Sequence, residues 1–271
     1  QARANNRDMS LSYLAQERPD VESWRTRARA KMQQLLAYET EPVALAPEIL
    51  ASCACEGFTR HAVRYQIAPE RCTEAYLLIP DGLDEPAPAV VALHDHGGFY
   101  YYGKEKLSAD STSPQILQQF IASSYGGRPF ADELARRGYV VLCPDAFYFS
   151  SQRLDPGQVA ASFTEPFPEL SSGDVDRRIA AFNRFAQVHE QVVAKYLFAS
   201  GTTWPGVLFQ GDRVSLSYLL SRPEVDPGRV GCMGLSIGGY RSAHLFALDP
   251  RLQTAVVAGW MPSYPQQMHH H

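Results

Sequence analysis

The stretch that decides the fold is GCMGLSIGGY, residues 231–240, because its centre reads Gly-x-Ser-x-Gly around Ser236. The apolar run RVGCMG precedes the serine, and the helix-like segment GYRSAHLFAL follows it. Strand, sharp turn and helix in this order are typical of a nucleophile elbow, and Gly234 and Gly238 fit a strained turn that has no room for Cβ atoms. The pattern predicts a nucleophilic Ser236 with the Ile237 N–H beside it as an oxyanion donor. A tight turn with an incidental serine is the alternative.

Apolar runs of the same kind recur along the chain, and helical segments separate them. Runs that are apolar at nearly every position suit strands buried on both faces of a parallel sheet. Their alternation with helices predicts an α/β fold with a doubly wound, mostly parallel sheet. The four runs are AVVALHDHGG (89–98), YVVLCPDA (139–146), RVGCMGLS (229–236) and TAVVAGW (254–260), with helices predicted at GRPFADELARRG and QGDRVSLSYLLSRPEV.

The segments before these runs set the predicted domain organisation. Residues 20–38 carry apolar side chains on one helical face, and RHAVRYQIA with TEAYLLIP is typical of an antiparallel strand pair. We assign residues 1–72 to an N-terminal helical segment and first strand. Residues 73–271 form the predicted sheet core.

An insertion interrupts that core at residues 147–211, where about 65 residues replace a connection of a few. Part of it is helical, and an insertion at this place is typical of a cap over a site at the strand ends. A helix packed on the flank of the sheet is the alternative. The predicted apolar side of the helix consists of Ile179, Phe182, Phe185, Val188, Val192 and Tyr196.

The loop LHDHGGFYYYGKEK, which follows the first apolar run, is the predicted partner of the elbow. A hydrolase of this architecture takes its second oxyanion donor from this loop. The end of the strand makes the His96 backbone N–H that donor, with Gly97 as the alternative. His94 and His96 also have a spacing that zinc sites use, but no third ligand is marked, so we predict no metal. Asp95 is expected to accept hydrogen bonds from loop amides.

These motifs together resemble an α/β-hydrolase of the dienelactone-hydrolase and acetyl-xylan-esterase-like group. AYLLIP, PAVVALHDHGG, GYVVLCPDA, YLLSRPEVDPGRVGCMGLSIGGYRS and VVAGWM occur in family order. The resemblance implies a serine esterase that works without a cofactor. In it, Ser236 attacks an ester carbonyl, a histidine takes its proton, and the N–H groups of His96 and Ile237 hold the oxyanion.

The sequence departs from that family after the elbow, where the acid and the histidine of a triad should follow. Asp249 precedes the last apolar run, and we interpret it as structural, like Asp145 after the second run. His244 should point away from Ser236, and His269 to His271 end the chain as a tag or a native end. The chain ends 11 residues after Trp260.

We therefore expect the C-terminal strands of the fold, with the triad acid and base, to be missing from this chain. The TAVVAGW run should then be an exposed apolar edge. On this interpretation the natural full-length protein is an esterase and the isolated chain is inactive.

Aromatic side chains cluster around the predicted mouth of the site, namely Phe99, Tyr100, Tyr148 and Trp204. They would either form the walls of a substrate pocket or pack the cap against the core. Lys104, Lys106 and Arg128 are the candidates for contact with an acidic substrate. The expected partner is a small-molecule ester, and self-association into a homo-oligomer is left open.

Composition excludes other classes of partner. A net charge of −4 and a pI near 6.1 give no basis for nucleic-acid binding, and no apolar run approaches the roughly 18–20 residues of a membrane span. The five cysteines show no disulfide framework and suggest reduced thiols in a cytoplasmic protein.

Two other functions compete with the esterase: a serine peptidase of the same fold, and a non-catalytic ligand-binding pseudoenzyme.

Overall fold

A computed structural model describes residues 11–13, 20–38, 42–110 and 112–260. Its centre is a seven-stranded sheet. The strands are β1 Glu48–Cys55, β2 Phe58–Ala68, β3 Arg71–Pro80, β4 Ala87–Leu93, β5 Val140–Pro144, β6 Val225–Leu235 and β7 Thr254–Ala258. Their order across the sheet is β1-β2-β3-β5-β4-β6-β7. The first three strands and β5 pair in antiparallel fashion, whereas β5, β4, β6 and β7 are parallel to one another.

Helices cover both faces of this sheet, as the predicted α/β-hydrolase fold requires. The helices are α1 Val21–Leu36, α2 Gln115–Tyr125, α3 Phe130–Arg136, α4 Ala161–Thr164, α5 Val175–Ala199, α6 Trp204–Leu220 and α7 Ile237–Leu248. Three of them begin at a side chain that accepts a hydrogen bond from a backbone N–H: Asp20, Asp174 and Thr203 cap α1, α5 and α6.

Alternate residues of the central strands supply two hydrophobic cores, one on each side of the sheet. On β5, Val140 and Leu142 point into the core beneath α6 and α7, while Val141 and Cys143 point into the core beneath α3. All four side chains are fully buried. The apolar runs of the sequence arise because a strand with helices on both faces has no side that water reaches.

The N-terminal strand pair is confirmed, but the sequence did not reveal the strand beside it. β2 and β3 pair along their whole length, as predicted. β1 pairs with the outer side of β2, in a segment for which no strand was predicted. Seven of its eight residues are exposed, so EILASCAC lacks the burial pattern by which a half-buried strand is recognised.

Helix α6 begins six residues earlier than predicted. The predicted segment started at Gln210, whereas the helix starts at Trp204. Thr203 accepts a hydrogen bond from the Gly206 N–H, and Pro205 occupies the first turn, where its missing N–H costs nothing. In the first turns of α6, Trp204 and Leu208 pack against side chains of the insertion, whereas Phe209 packs into the core of the sheet.

The apolar face predicted for α5 is correct only in its first half. Ile179, Phe182 and Phe185 are buried, but Val188 and Tyr196 are 63% and 70% exposed. Steps of three residues lag by about 60° on a helix of 3.6 residues per turn, so the predicted series drifts away from the buried face. The buried face of the helix continues through Ala186, Glu190 and Val193. Because Glu190 is charged, this face does not have a regular apolar periodicity in the sequence.

Strand β7 departs from the prediction that every run is buried on both faces. Val256 and Val257 are 47% and 36% exposed. In the described part of the chain β7 pairs with β6 along one edge. The exposed apolar edge expected for TAVVAGW is therefore present in the described residues.

Candidate functional site

Ser236 is the single residue between the end of β6 and the start of α7, so the predicted strand–turn–helix is present. Its backbone has φ 56° and ψ −120°, a strained conformation for a residue with a side chain. The Ser236 N–H donates to the Ala258 carbonyl at 2.8 Å, and the Ser236 carbonyl accepts from the Tyr240 N–H at 3.0 Å. Both ends of the turn are thereby fixed.

Close packing explains why glycines surround this serine. A Cβ on Gly234 would overlap the backbone of Gly238, and a Cβ on Gly238 would overlap the carbonyl oxygens of Leu93 and His94. A Cβ on Gly239 would lie 2.6 Å from the Ala258 carbonyl oxygen. The start of α7 therefore lies directly against the ends of β4 and β7.

The hydroxyl of Ser236 has no hydrogen-bond partner among the residues that the structure describes. It makes no capping hydrogen bond to α7. His244 Nδ1 pairs with the Tyr240 carbonyl oxygen at 2.9 Å, and the buried Asp249 is bound by Arg251 at 2.6 and 2.8 Å. Asp249 also follows the last residue of α7, about 20 Å along the helix from the serine. Within the described residues, neither group is placed as a partner of the hydroxyl.

The loop after β4 turns sharply where the two glycines were noted. Gly97 and Gly98 have φ 54° and 65°, and the Phe99 N–H closes the turn onto the His96 carbonyl at 3.0 Å. The backbone N–H groups of His96 and Gly97, and that of Ile237 at the start of α7, find no hydrogen-bond acceptor in the part of the chain that the structure describes. Free N–H groups on a loop and at a helix N-terminus are suited to binding an anion.

The ring of His94 stabilises the junction of loop and sheet. Its Nε2 accepts from the Ala146 N–H at 3.1 Å, so the ring proton resides on Nδ1, which donates to the Asp95 carbonyl at 2.9 Å. The ring is fully buried, and this burial lowers the pKa of His94 well below its ordinary value. Its role is structural and it stays neutral.

His96 connects the loop to the insertion. Its Nδ1 accepts from the Gly98 N–H at 3.0 Å, which leaves Nε2 protonated to donate to Glu190 on α5 at 3.1 Å. The Tyr100 hydroxyl donates to the other carboxylate oxygen of Glu190 at 2.6 Å. Helix α5 thus packs over the loop that follows β4, which is where a cap would lie. Sequence periodicity did not single out Glu190.

The two histidines do not converge on a common point suitable for a metal. All four of their ring nitrogens have the partners described above. Among the residues that the structure describes, no group of three His, Cys, Asp or Glu side chains is arranged to hold a metal ion.

The lysines of the loop are not available to a substrate, contrary to the sequence-based interpretation. Lys104 and Lys106 are 4% and 0% exposed. Lys104 Nζ lies 2.8 Å from the Asp145 carboxylate, which also accepts the N–H and hydroxyl of Ser151. Asp145 is therefore structural, as expected. Arg128 remains exposed.

The predicted pocket aromatics pack the insertion against the core. Phe99 stacks on Phe120 at 4.7 Å, Tyr100 stacks on Phe149 at 5.2 Å, and the Tyr148 hydroxyl donates to a carbonyl of α5. Phe99, Tyr100 and Tyr148 are buried and Trp204 is half-buried. Their use as pocket walls stays a prediction.

Comparison with known proteins identifies relatives of this architecture. Residues 124–271, more than half of the chain, match the model of the dienelactone hydrolase family. A curated relative, "Putative hydrolase YtaP" of Bacillus subtilis (strain 168), is 28% identical over 183 residues, which are 67% of this chain and 46% of that protein.

Solved structures agree at the level of the fold. A "putative acetyl xylan esterase" from Bacteroides fragilis NCTC 9343 superimposes with a TM-score of 0.65 at 18% identity, over 86% of this chain and 52% of that one. A glucuronoyl esterase from Solibacter usitatus superimposes with a TM-score of 0.53 at 16% identity, over 88% and 59%. The chain spans about half the length of the relatives it matches. None of its described helices is long and apolar enough to cross a membrane.

Proposed function

This chain belongs to the dienelactone hydrolase family, and from that premise we propose that it carries the nucleophile and the oxyanion hole of a serine esterase. The observation that carries the proposal is the elbow. A serine held at φ 56° has a strained backbone, and its hydroxyl makes no capping hydrogen bond to α7 that would offset the strain. Such a residue is expected where the hydroxyl takes part in a reaction. The N–H groups of His96, Gly97 and Ile237 have no acceptor within the described ranges, and so could serve as oxyanion donors.

In the proposed reaction, Ser236 Oγ attacks the carbonyl carbon of a carboxylic ester and gives its proton to a base. The carbonyl oxygen becomes an oxyanion, and the N–H of Ile237 with that of His96 or Gly97 donates to it. The ester C–O bond then breaks, and the alcohol leaves with the proton from the base. Water attacks the acyl-serine by the reverse sequence and releases the acid.

We propose that the base lies outside the described ranges. His94 and His96 each use both ring nitrogens in hydrogen bonds to the loop, to Ala146 or to Glu190, so neither has a lone pair free for the serine proton. His244 donates from Nδ1 to the Tyr240 carbonyl, which leaves a lone pair on Nε2, but among the described residues no hydrogen bond joins that nitrogen to Ser236. For this reason the test uses the natural protein that contains this chain.

The test compares Ser236 with Ser242, a serine of the helix that follows the elbow. Ser236→Ala removes the proposed nucleophile, whereas Ser242→Ala removes a hydroxyl of α7 that donates to the Gly238 carbonyl at 2.9 Å. We expect hydrolysis of a p-nitrophenyl acetate substrate to fall at least about 10³-fold in the first variant and to persist in the second. Equal rates in Ser236→Ala and the wild type would refute the proposal. Cleavage of the matching p-nitroanilide at a similar rate would favour a peptidase instead.

A further inference from the structure

Lys106 is a fully buried lysine at the end of the turn 104–106, next to the loop that follows β4. The rings of Phe120 and Phe149 lie 5.2 and 4.9 Å from its Nζ. An ammonium in such surroundings is kept only where acceptors compensate for the water it has lost. Those acceptors are the backbone carbonyls of Asp95 and His96, at 2.9 and 3.1 Å.

The direction of these two carbonyls fixes the direction of two amides. Every peptide bond of the described chain is trans, so the N–H that follows a carbonyl lies in the same peptide plane and points in the opposite direction. The Asp95 carbonyl shares its plane with the His96 N–H, and the His96 carbonyl shares its plane with the Gly97 N–H. Because both carbonyls turn toward Lys106, both amides turn away from it, and both lack an acceptor among the described residues.

We infer that Lys106 is the positioning residue of the oxyanion hole: by binding the carbonyls of Asp95 and His96, it aims the His96 and Gly97 N–H groups at the developing oxyanion. The inference rests on the proposed esterase function. Lys106 itself touches no substrate, because its side chain is completely enclosed. Its effect acts through the backbone alone.

Each carbonyl has a second donor, so the loop does not depend on Lys106 to fold. The Asp95 carbonyl also accepts from His94 Nδ1, and the His96 carbonyl also accepts from the Phe99 N–H. The Asp95 carboxylate, 3.8 Å from Lys106 Nζ, keeps its hydrogen bond from the Tyr125 hydroxyl at 2.5 Å. Removing the ammonium should therefore change the orientation of the His96 and Gly97 N–H groups more than it destabilises the fold.

The experiment measures kcat and KM of the natural protein with p-nitrophenyl acetate, in Lys106→Met and Lys106→Gln. Methionine preserves most of the apolar stem, and glutamine restores one N–H donor. Lys104→Met is the matched control, since it removes a buried ammonium of the same turn that binds Asp145 and neither loop carbonyl. Rates are divided by the fraction of protein that a fluorophosphonate probe labels, which corrects for unfolded material.

We expect Lys106→Met to lower kcat by about 10- to 100-fold with little change in KM, because aiming an oxyanion donor is worth somewhat less than the donor itself. Lys106→Gln should recover part of that loss, and Lys104→Met should keep the wild-type kcat. Equal kcat values in Lys106→Met and Lys104→Met would overturn the inference while leaving the esterase intact. No turnover by the wild type, or full turnover by Ser236→Ala, would instead refute the proposed function.

A pH profile distinguishes a lysine that orients the two N–H groups from a lysine that only stabilises the fold. Burial lowers the pKa of Lys106 to about 8, so the ammonium loses its proton as the pH rises through that value and its hold on the carbonyls weakens. The ratio of wild-type kcat to Lys106→Met kcat should therefore shrink above about pH 8. A ratio that stays constant would indicate a purely structural lysine. The groups that face Lys106 are Asp95, Glu105, Asp145, Arg241 and the neutral His94.

Discussion

Replacing Gly238 with alanine tests the packing that holds the elbow in place. The new Cβ would overlap the Leu93 carbonyl oxygen and lie 2.9 Å from that of His94, and both atoms belong to the backbone at the end of β4. Inserting a methyl group into a filled core costs about 1–3 kcal/mol, and backbone on the far side cannot change rotamer to relieve it. We therefore expect a loss of about 3 kcal/mol or more in the free energy of unfolding. For a chain of this size that lowers Tm by about 6–12 °C.

Gly211→Ala is the matched control, because it adds the same methyl group to a helix with room for it. Gly211 lies inside α6, and its Cβ would meet Ile67 Cδ1 at 3.8 Å, an ordinary contact. Alanine in place of a helical glycine should raise stability by about 0.5–1 kcal/mol. Thermal unfolding followed by circular dichroism measures both variants. A Gly238→Ala protein as stable as Gly211→Ala would refute the close contact between the elbow and β4.

The buried ion pair and the cap contact give two more predictions. Arg241→Met leaves the fully buried Asp212 carboxylate without its partner, which should cost about 3–5 kcal/mol in urea unfolding, and adding Asp212→Leu should recover most of it. A double variant as unstable as the single one would contradict this. Glu190→Ala removes the shared acceptor of His96 and Tyr100, and since the carboxylate is about a third exposed we expect a loss of only about 1–2 kcal/mol. Glu190→Gln, which keeps an acceptor oxygen, should lose less than half as much; equal losses would contradict the assignment.

The elbow could be predicted from sequence because its constraints are local. A strained serine, glycines that face backbone and a helix that starts at the next residue all lie within ten residues of one another. The apolar runs were equally informative, since β5 is buried along its whole length and β4 along most of it, which leaves no polar position in either strand. The loop after β4 could be predicted because it comes directly after one of these apolar runs in the sequence.

What the sequence did not show depends on contacts between distant segments. Lys106 looks like a surface residue in the string GKEK, and only the fold reveals its enclosure beneath the loop. Glu190 interrupts the apolar pattern of α5, yet it lies on the buried face because His96 and Tyr100 bind it there. The exposed strand β1 has no periodicity that could identify it.

The most direct test of the central claim is the intact mass of the natural protein after treatment with a fluorophosphonate probe. The account predicts one covalent adduct in the wild type and in Ser242→Ala, and none in Ser236→Ala. An adduct that persists in Ser236→Ala, or a wild type that hydrolyses esters without forming one, would contradict the assignment of Ser236 as the nucleophile.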